Sequence, residues 1–367
     1  MSSTAPGTGK PGIYLHRTDE NVREIAAFGA LTGGAVGIDG VLDDLNRQGR
    51  ASRGLFGRAV TRAFTWDARD RGTREWYPQG ITTSADASDT EDIAGRRVLA
   101  TTWYSKQPGG VHQGSRISFW DLDTLRYRHV LLVLPRLNAD GALVLEPLKV
   151  HPGGIVWAGP YLHIAATARG FITCRADDIL RIPDSVGNHD PLRLAAEGNR
   201  ISSYGYRYVL PVRFQYRAQT ENGETKLRYS FLSLDRSAKP AQLISGEYGF
   251  GEQSTRLAHY TLDPDSLLPQ TADDGSARPI SLEDHGVRRM QGVACVRGRY
   301  YASVSKGPML PGSIYSGLPG TFRGHHAATP FGPEDISYWP STDTLWSLSE
   351  HPHRRWIFAI RRDWFES

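Results

Sequence analysis

Several residue types that would mark a particular class of protein are scarce in this sequence. It has two cysteines, Cys174 and Cys295, too few for a disulfide framework or a cysteine zinc site, so we expect small buried thiols. No apolar run reaches the roughly 18 residues of a membrane-spanning helix, and no membrane partner is expected. The sequence also lacks long basic blocks, and its 43 basic and 39 acidic residues leave a net charge of +4, so no nucleic acid partner is expected.

Motifs for cofactors and metals are also missing. The segment GTGK at positions 7–10 lacks the spacing of a phosphate-binding loop, and neither an HExxH pattern nor a calcium-binding loop occurs. Histidines at positions 325, 326, 351 and 353 could join Glu334 in a metal site, but their spacing matches no known ligand pattern. We therefore expect loop histidines, no metal and no cofactor.

The N-terminal segment predicts a cellular location. Residues 1–24 contain no basic region leading into an apolar stretch, so they do not have the pattern of a signal peptide. This favours a cytoplasmic protein. A secreted protein from which the signal peptide has been removed is the alternative.

Internal repeats are the most informative feature of the chain. Four units begin with a polar or glycine pair and a β-branched residue: Gln79-Gly80-Ile81, Gly153-Gly154-Ile155, Gln291-Gly292-Val293 and Glu334-Asp335-Ile336. A Ser-Lys pair recurs at 105–106 and 305–306, and SEHP at 349–352 takes the same place in the last unit. Between the second and third units lies another, in which residues 206–218 are interpreted as the first strand. Repeated units of about four short strands are typical of a β-propeller.

The repeats predict an all-β fold, a five-bladed β-propeller with a short N-terminal helical extension. Residues 54–367 form the propeller, and residues 1–53 form the extension, with two short helices between Asp19 and Asn46. Segment 59–66 precedes the first unit and has no blade of its own. We expect it to supply the outer strand of the last blade, which closes the ring and removes exposed sheet edges.

Polar residues recur at one end of these units. In a propeller the first strand of each blade lines the channel, and antiparallel pairing brings the start of the first strand and the end of the second to one face. The recurring positions therefore predict a ring of polar groups around a channel mouth, to which Arg169, Asp235 and Ser349 also belong. The predicted substrate-binding residues are Gln79, Ser105, Lys106, His151, Tyr204, Gln291, Ser305, Lys306 and Glu350, and the predicted catalytic residues are Glu334, Asp335 and His351.

Glu334 and Asp335 are the predicted acid–base groups. Neighbouring residues of a strand point to opposite faces, so only one of them should face the channel, and alignment with Gln79 and Gln291 favours Glu334. A carboxyl in a narrow channel has a raised pKa and can act as an acid or a base. The alternative is structural: Asp335 caps a turn and Glu334 pairs with a lysine.

The two Ser-Lys pairs have a different interpretation. Adjacent side chains of one strand diverge, which argues against a serine–lysine nucleophile, and we expect Lys106 and Lys306 to bind an anionic group. The last blade lies between the blades that carry them. The sequence therefore predicts an arc in which Glu334 and Glu350 lie between the two lysines.

The segments YPQGIT, HPGGIVWAGPYLHIAATARG, YSFLSLDRS, SGEYG, RMQGV and FGPEDISYWPSTDTLWSLSEHP resemble a family of actinobacterial β-propeller proteins described as secreted or hypothetical. The resemblance covers roughly residues 60–365 and implies a propeller but no activity. More distantly, the layout is similar to propeller enzymes of the strictosidine synthase and gluconolactonase type, which use the channel mouth for catalysis. Their metal-binding positions have no counterpart here, and only Glu334 lies in a comparable place, so the fold alone does not give the function.

Together these features favour an enzyme with a small polar or anionic substrate. It would use acid–base chemistry of the cyclase, lyase or hydrolase type, without a redox cofactor, in a biosynthetic pathway. The alternative is a non-catalytic module that binds a sugar or a peptide on aromatic surfaces. The tryptophans considered for that role are Trp76, Trp103, Trp157, Trp339 and Trp346. The sequence leaves the substrate and the oligomeric state open.

Overall fold

The computed structural model describes residues 11–52, 57–186, 190–198, 200–221 and 223–366, and most of the regular structure is strand. The helices are α1 (Val22–Thr32), α2 (Gly37–Leu42), α3 (Ala68–Gly72) and α4 (Ser84–Ala87). Short 3-10 turns lie at Pro108–Gly110, Ala176–Asp178, Asp184–Val186, Pro340–Thr342 and Arg362–Phe365. None of the helices described is long and apolar enough to cross a membrane.

The strands of the first half of the chain are β1 (Ile13–Arg17), β2 (Arg47–Gln48), β3 (Arg50–Ala51), β4 (Val60–Thr65), β5 (Trp76–Thr83), β6 (Val98–Ser105), β7 (Ser115–Asp121), β8 (Arg126–Leu137), β9 (Leu143–Pro147), β10 (Ile155–Ala158), β11 (Tyr161–Ala166), β12 (Gly170–Arg175) and β13 (Leu180–Arg181). Those of the second half are β14 (Leu194–Glu197), β15 (Arg200–Ser203), β16 (Tyr208–Thr220), β17 (Phe231–Asp235), β18 (Gln242–Gly246), β19 (Leu257–Thr261), β20 (Ser276–Ala277), β21 (Ser281–Glu283), β22 (Met290–Val296), β23 (Arg299–Val304), β24 (Ser313–Gly317), β25 (Arg323–His325), β26 (Pro333–Trp339), β27 (Thr344–Ser349) and β28 (Ile357–Arg361).

Most of these strands form antiparallel groups that follow the chain. The groups are β5-β6-β7-β8, β10-β11-β12-β16, β17-β18-β19-β21, β22-β23-β24-β25 and β26-β27-β28-β4. The outer strands of the first two groups, β8 and β16, also pair with each other in parallel, so these two groups form one continuous sheet.

The first strands of the groups surround a common axis. In succession β5 contacts β10, β10 contacts β17, β17 contacts β22, β22 contacts β26, and β26 returns to β5. Sheets that radiate from such a ring of inner strands are the arrangement of a β-propeller. The protein is therefore mostly β, with its sheets arranged around one axis.

The predicted role of segment 59–66 is confirmed. Strand β4 pairs antiparallel with β28 and is the fourth strand of the last group, although it lies nearly 300 positions earlier in the chain, with Phe64 opposite Ile357. Phe64 is fully buried and its ring lies 5.1 Å from that of Trp120. The N-terminal and C-terminal parts of the chain thus share one sheet.

The strand assignment of the third unit is wrong by one strand. Residues 206–218 were expected to begin that unit, but β16 is the outer strand of the second group, where it pairs with β12 and β8. The third group begins instead at β17, which pairs with β18. Sequence alternation identified a strand here, whereas its long-range partners decide to which sheet it belongs.

The N-terminal segment contains the two expected helices, separated near Gly33, which adopts a left-handed conformation (φ 86°) at the end of α1. Asn21 holds the N-cap position of α1, but its side chain donates to the carbonyl of Val212 instead of capping the helix. The segment also contributes β1, which pairs with β16 and β20. The predicted boundary between residues 53 and 54 lies outside the described residues, as does the segment at positions 7–10.

Aromatic side chains fill much of the interior. Trp66 lies against Trp103 and Trp120, with ring centroids 4.5 and 4.6 Å apart. The tryptophans considered as ligand surfaces are all buried, at 5% exposure or less: Trp76, Trp103, Trp157, Trp339 and Trp346. These five rings are therefore not stacking surfaces exposed to solvent. Both cysteines are buried free thiols, as expected.

Candidate functional site

Each of three first strands contains a β-bulge at the residues that begin its repeat. The register shifts between Pro78 and Ile81 in β5, between Met290 and Gly292 in β22, and between Pro333 and Ile336 in β26. A bulge inserts an extra residue and changes the direction of its side chain. The side chains of Gln79, Gln291 and Glu334 therefore do not follow the regular alternation between the two faces of their strands.

The glycines of the repeat starts are required by close approach of the inner strands. A Cβ atom on Gly80 would lie 2.8 Å from the carbonyl carbon of Gly154, and one on Gly154 would lie 2.4 Å from the amide nitrogen of Leu232. On Gly292 it would lie 2.4 Å from Oδ1 of Asp335. The repeated glycine thus lets neighbouring first strands pack around a narrow channel.

Glu334 lies at the start of β26 and is buried, with 2% of its surface exposed. Gln291 Nε2 donates a hydrogen bond to its Oε1 at 2.9 Å, and Oε2 accepts none within the described chain. Burial raises the pKa of Glu334 well above its ordinary value, and the nearby charges of Glu350 and Asp335 raise it further. Glu334 is therefore held in its protonated form at pH values at which an exposed glutamate is ionised.

Glu350 supplies a second carboxylate beside Glu334. It follows β27, and its Oε2 accepts a hydrogen bond from Gln79 Nε2 at 2.9 Å. Its Oε1 lies 3.7 Å from Nδ1 of His351, and about a fifth of its side chain is exposed. Each of the two carboxyl groups is thus oriented by one amide from a repeat start.

Asp335 contacts inner strands of other groups, although the sequence favoured Glu334 as the residue that faces the channel. Its Oδ2 accepts hydrogen bonds from the backbone amides of Ile81 in β5 (3.1 Å) and Ile155 in β10 (3.3 Å), the first strands of two other groups. Strand alternation was expected to direct Glu334 and Asp335 to opposite faces, but a bulge interrupts the alternation at these two residues. Asp335 is fully buried, and burial raises its pKa well above the ordinary value. This geometry favours a structural role, since Asp335 connects inner strands across the axis.

Tyrosines that the sequence analysis missed surround the carboxyl pair. Burial is the main cause of the raised pKa of Tyr104, and the charges of Glu350 and Glu334 raise it further. Burial also raises the pKa of Tyr248, and the charge of Glu334 acts in the same direction. Tyr77 stacks on Tyr104 with centroids 5.6 Å apart. The only sequence indication of Tyr77 and Tyr104 is their place beside the repeated QG and SK motifs.

Lys106 and His151 lie at this aromatic group, whereas Lys306 does not. Lys106 Nζ lies 3.9 Å from the ring centroid of Tyr77, and the His151 ring lies 5.1 Å from that of Tyr104. Lys306 Nζ instead approaches His326 Nδ1 at 3.4 Å. Among the described residues neither lysine forms an ion pair with a carboxylate, so the expected lysine–glutamate–lysine arc is not closed by direct contacts.

Of the remaining predicted residues, His351 adjoins Glu350, whereas Ser105, Ser305 and Tyr204 have other partners. Ser105 contacts His112 Nδ1 at 3.3 Å, and Ser305 accepts a hydrogen bond from the amide of Gly307. Neither hydroxyl contacts a lysine, which agrees with the argument against a serine–lysine nucleophile. Burial lowers the pKa of His351, and the positive charges of Arg355, Arg354 and Lys106 act in the same direction against the charge of Glu350. Tyr204 lines a different cavity, together with Asp70 and Arg116.

A cavity of about 290 Å³ opens beside Tyr104. The rest of its wall is His112, Lys149, Val150, His151, Thr167 and Arg169. This wall contains two cations and no carboxylate among the described residues. In the described part of the chain, no three histidine, cysteine, aspartate or glutamate side chains are grouped so as to hold a metal ion.

Comparison with known proteins gives only distant structural likenesses. No family model and no curated protein matches the chain. A gluconolactonase of Xanthomonas campestris is 14% identical, with 90% of this chain and 98% of that one covered and a TM-score of 0.35. A GH43_1 enzyme of Xanthomonas citri is 13% identical, with 82% and 90% covered and a TM-score of 0.37. The β-propeller domain of Myceliophteria thermophila Cps50 (Swd1) is 10% identical, with 79% and 98% covered and a TM-score of 0.34. Likeness at this level carries no argument about activity.

Proposed function

We propose that the chain is an enzyme that acts on a small polar or anionic molecule at the channel mouth by acid–base chemistry. The observation that carries the proposal is the pair of carboxyl groups, in which Glu334 is buried and Glu350 is partly exposed. Two neighbouring carboxyl groups that differ in burial and access can divide the roles of acid and base. In this proposal protonated Glu334 donates a proton to an oxygen of the substrate, and Glu350 accepts one from a hydroxyl group or a water molecule.

The surroundings of the pair favour a substrate with hydroxyl groups and an anionic end. The amides of Gln79 and Gln291 and the hydroxyl of Tyr104 are suited to polar contacts with hydroxyl groups. The cavity beside Tyr104 offers Lys149 and Arg169 to a carboxylate or phosphate, and Lys106 Nζ lies 5.9 Å from the Tyr104 ring centroid. Reaction classes consistent with these groups are hydrolysis, elimination and cyclisation.

We also propose that the propeller has five blades. The supporting observation is that the inner strands β5, β10, β17, β22 and β26 contact one another in a closed succession. In this proposal Asp335 positions the inner strands and does not touch the substrate. Its fully buried carboxyl group, which accepts from backbone amides of β5 and β10, supports that division of roles between adjacent residues.

The test compares wild-type protein with Glu334→Gln in a mixture of bacterial metabolites followed by mass spectrometry. The substitution keeps an oxygen that can accept from Gln291 but removes the transferable proton. We expect a compound that wild-type protein converts and that the variant converts at least about 100-fold more slowly. Glu146→Gln is the matched control, because Glu146 is half exposed and pairs only with Arg136 on the surface.

Two outcomes would count against the enzyme. Conversion of the same compound at equal rates by wild-type protein and Glu334→Gln would remove Glu334 from the mechanism. Retention of a compound by both proteins without any conversion would favour the alternative, a non-catalytic binding module whose contact surface is the Tyr77–Tyr104 stack.

A further inference from the structure

A second cavity, of about 260 Å³, lies where α3 meets the first sheet, and its described wall includes neither Glu334 nor Glu350. Five arginines contribute to the wall: Arg47, Arg69, Arg116, Arg128 and Arg207. Only two described carboxylates do so, Asp70 and Glu75. We call this space the arginine cavity.

Asp70 accepts hydrogen bonds from several side chains on the buried side of the arginine cavity. Its Oδ2 accepts hydrogen bonds from the Tyr127 hydroxyl at 2.6 Å and from His129 Nε2 at 2.8 Å, and its Oδ1 accepts from Arg116 Nη2 at 3.2 Å. Arg47 Nη1 lies 3.3 Å from Oδ2. The charge of Asp70 is therefore already shared by wall groups, and it does not neutralise the other arginines.

His129 connects Asp70 to Ser118 but does not create a nucleophile. Ser118 Oγ accepts a hydrogen bond from Trp103 Nε1 at 2.8 Å, so its own proton points to His129 Nδ1 at 2.7 Å. His129 then donates from Nε2 to Asp70. Ser118 is fully buried and is not part of the described cavity wall. The order of groups is that of a serine hydrolase triad, but the hydroxyl is out of reach of a ligand, so the cavity is suited to binding.

Arg116 is held rigidly at the wall. Its guanidinium group lies 4.3 Å from the ring centroid of Trp76 and 4.7 Å from that of Trp103. It is 4% exposed, and its Nε has no hydrogen-bond partner among the described residues. A buried donor without a partner is costly unless a ligand or water satisfies it.

The other arginines differ in whether a carboxylate neutralises their positive charge. Arg128 pairs with Asp44 at 3.0 Å, and Arg207 pairs with Asp184, which is largely exposed. The side chain of Arg69 is exposed and forms no ion pair within the described chain. A pair whose carboxylate is largely exposed contributes little, so Arg207 can exchange Asp184 for an incoming anion, and Arg69 has no described pair to exchange.

We propose that the arginine cavity is a binding site for a small organic anion, separate from the proposed active site. Arg69, Arg116 and Arg207 would hold a carboxylate or phosphate group, and the rings of Tyr204 and Tyr206 in the wall would contact the body of the ligand. A volume of about 260 Å³ accommodates a molecule with on the order of ten non-hydrogen atoms.

Calorimetry with three probes of that size tests the charge requirement: benzoate, phenyl phosphate and benzamide, which is the uncharged analogue of benzoate. We expect at least one of the two anions to bind wild-type protein with a Kd below about 1 mM, and benzamide to bind at least tenfold more weakly (~1.4 kcal/mol). The ratio of the Kd values for benzoate and phenyl phosphate distinguishes a carboxylate ligand from a phosphate ligand. Equal affinity for benzoate and benzamide, or no saturable binding of either anion up to about 20 mM, would overturn the proposal.

Arginine variants test the location of the site. Arg69→Gln and Arg207→Gln should each weaken binding of the better anion by about three- to tenfold, because each removes one charge from the wall. Arg136→Gln is the matched control, since Arg136 is exposed and pairs only with Glu146. Equal weakening by Arg69→Gln and the control would place anion binding elsewhere. Glu334→Gln should leave anion binding unchanged, which separates failure of this site from failure of the proposed function.

Discussion

At the scale of single residues, Glu334 and Asp335 show how one bulge separates the roles of two neighbours. Glu334 accepts a hydrogen bond from the side-chain amide of Gln291 at one oxygen, and its other oxygen accepts none from the described residues, whereas Asp335 accepts from the backbone amides of Ile81 and Ile155 in two other inner strands. Both are acids with raised pKa values, and burial is the main cause in each. The two residues therefore differ in their hydrogen-bond partners and not in the direction of their pKa shifts.

The raised pKa of Glu334 predicts how stability changes with pH. The folded protein retains a proton on Glu334 at pH values at which the unfolded chain has lost it, so this contribution to stability is complete below about pH 4.3 and is lost as the pH rises through the folded-state pKa. Each unit by which the pKa is raised corresponds to about 1.4 kcal/mol. Glu334→Gln should therefore be more stable than wild-type protein at pH 8 and equally stable at pH 4.

Urea unfolding followed by tryptophan fluorescence at both pH values measures this difference. Glu146→Gln should match wild-type protein throughout, because its carboxyl is exposed. A Glu334→Gln protein no more stable than wild type at pH 8 would show that the buried carboxyl does not hold its proton.

At the scale of elements, the inner strands set the geometry of the mouth. Their glycines allow backbone-to-backbone packing, and their bulges direct Gln79, Gln291 and Glu334 to one place. A side chain at these glycine positions would separate adjacent strands.

Gly292→Ala should destabilise the protein by about 2–3 kcal/mol, because its Cβ would overlap Asp335 at both Oδ1 (2.4 Å) and Cα (2.7 Å). Gly29→Ala is the contrasting variant. Gly29 lies in α1 with no atom within 4 Å of a built Cβ, so alanine should stabilise the helix by up to about 1 kcal/mol. Chemical unfolding of both variants measures the two effects, and a neutral Gly292→Ala would contradict the tight packing of β22 against β26.

At the scale of the whole molecule, the ring is held closed by contacts between residues far apart in the chain. Strand β4 completes the last sheet, with Phe64 packed between Trp120 and Trp346. Arg355 adds a polar link: it donates to the carbonyls of Glu350, Asp70 and Trp76.

Phe64→Ala should lower the free energy of unfolding by roughly 3–5 kcal/mol, because it leaves a cavity where β4 joins the last sheet to the first. Thr61→Ala on the exposed side of the same strand should cost only about 0.5 kcal/mol. Thermal unfolding compares the two variants. Similar small losses for both would mean that β4 does not contribute to closure.

Arg355→Met should destabilise the protein by about 3 kcal/mol, since two buried carbonyls and one partly buried carbonyl would lose their donor. Arg136→Met is the control, and its exposed ion pair should be worth less than about 1 kcal/mol. Chemical unfolding measures both. A stable Arg355→Met protein would show that the ring does not depend on this link.

The sequence by itself determined the features that local patterns encode. Short strands with turn residues predicted the β class, the repeat starts located Gln79, Gln291 and Glu334, and the isolated strand at 59–66 predicted closure. These features could be predicted because alternation and repeated motifs are local or periodic in the chain.

Only the tertiary structure decided the features that depend on distant partners. The sheet to which β16 belongs, the burial of Asp335 and the contact of Lys306 with His326 follow from long-range pairing and bulges. Tyr104, which completes the mouth, and Arg116, which lines the arginine cavity, gain their surroundings from other sheets and segments. Burial and electrostatic environment are properties of the assembled ring, because they depend on which atoms displace water around a group and not on that group's neighbours in sequence.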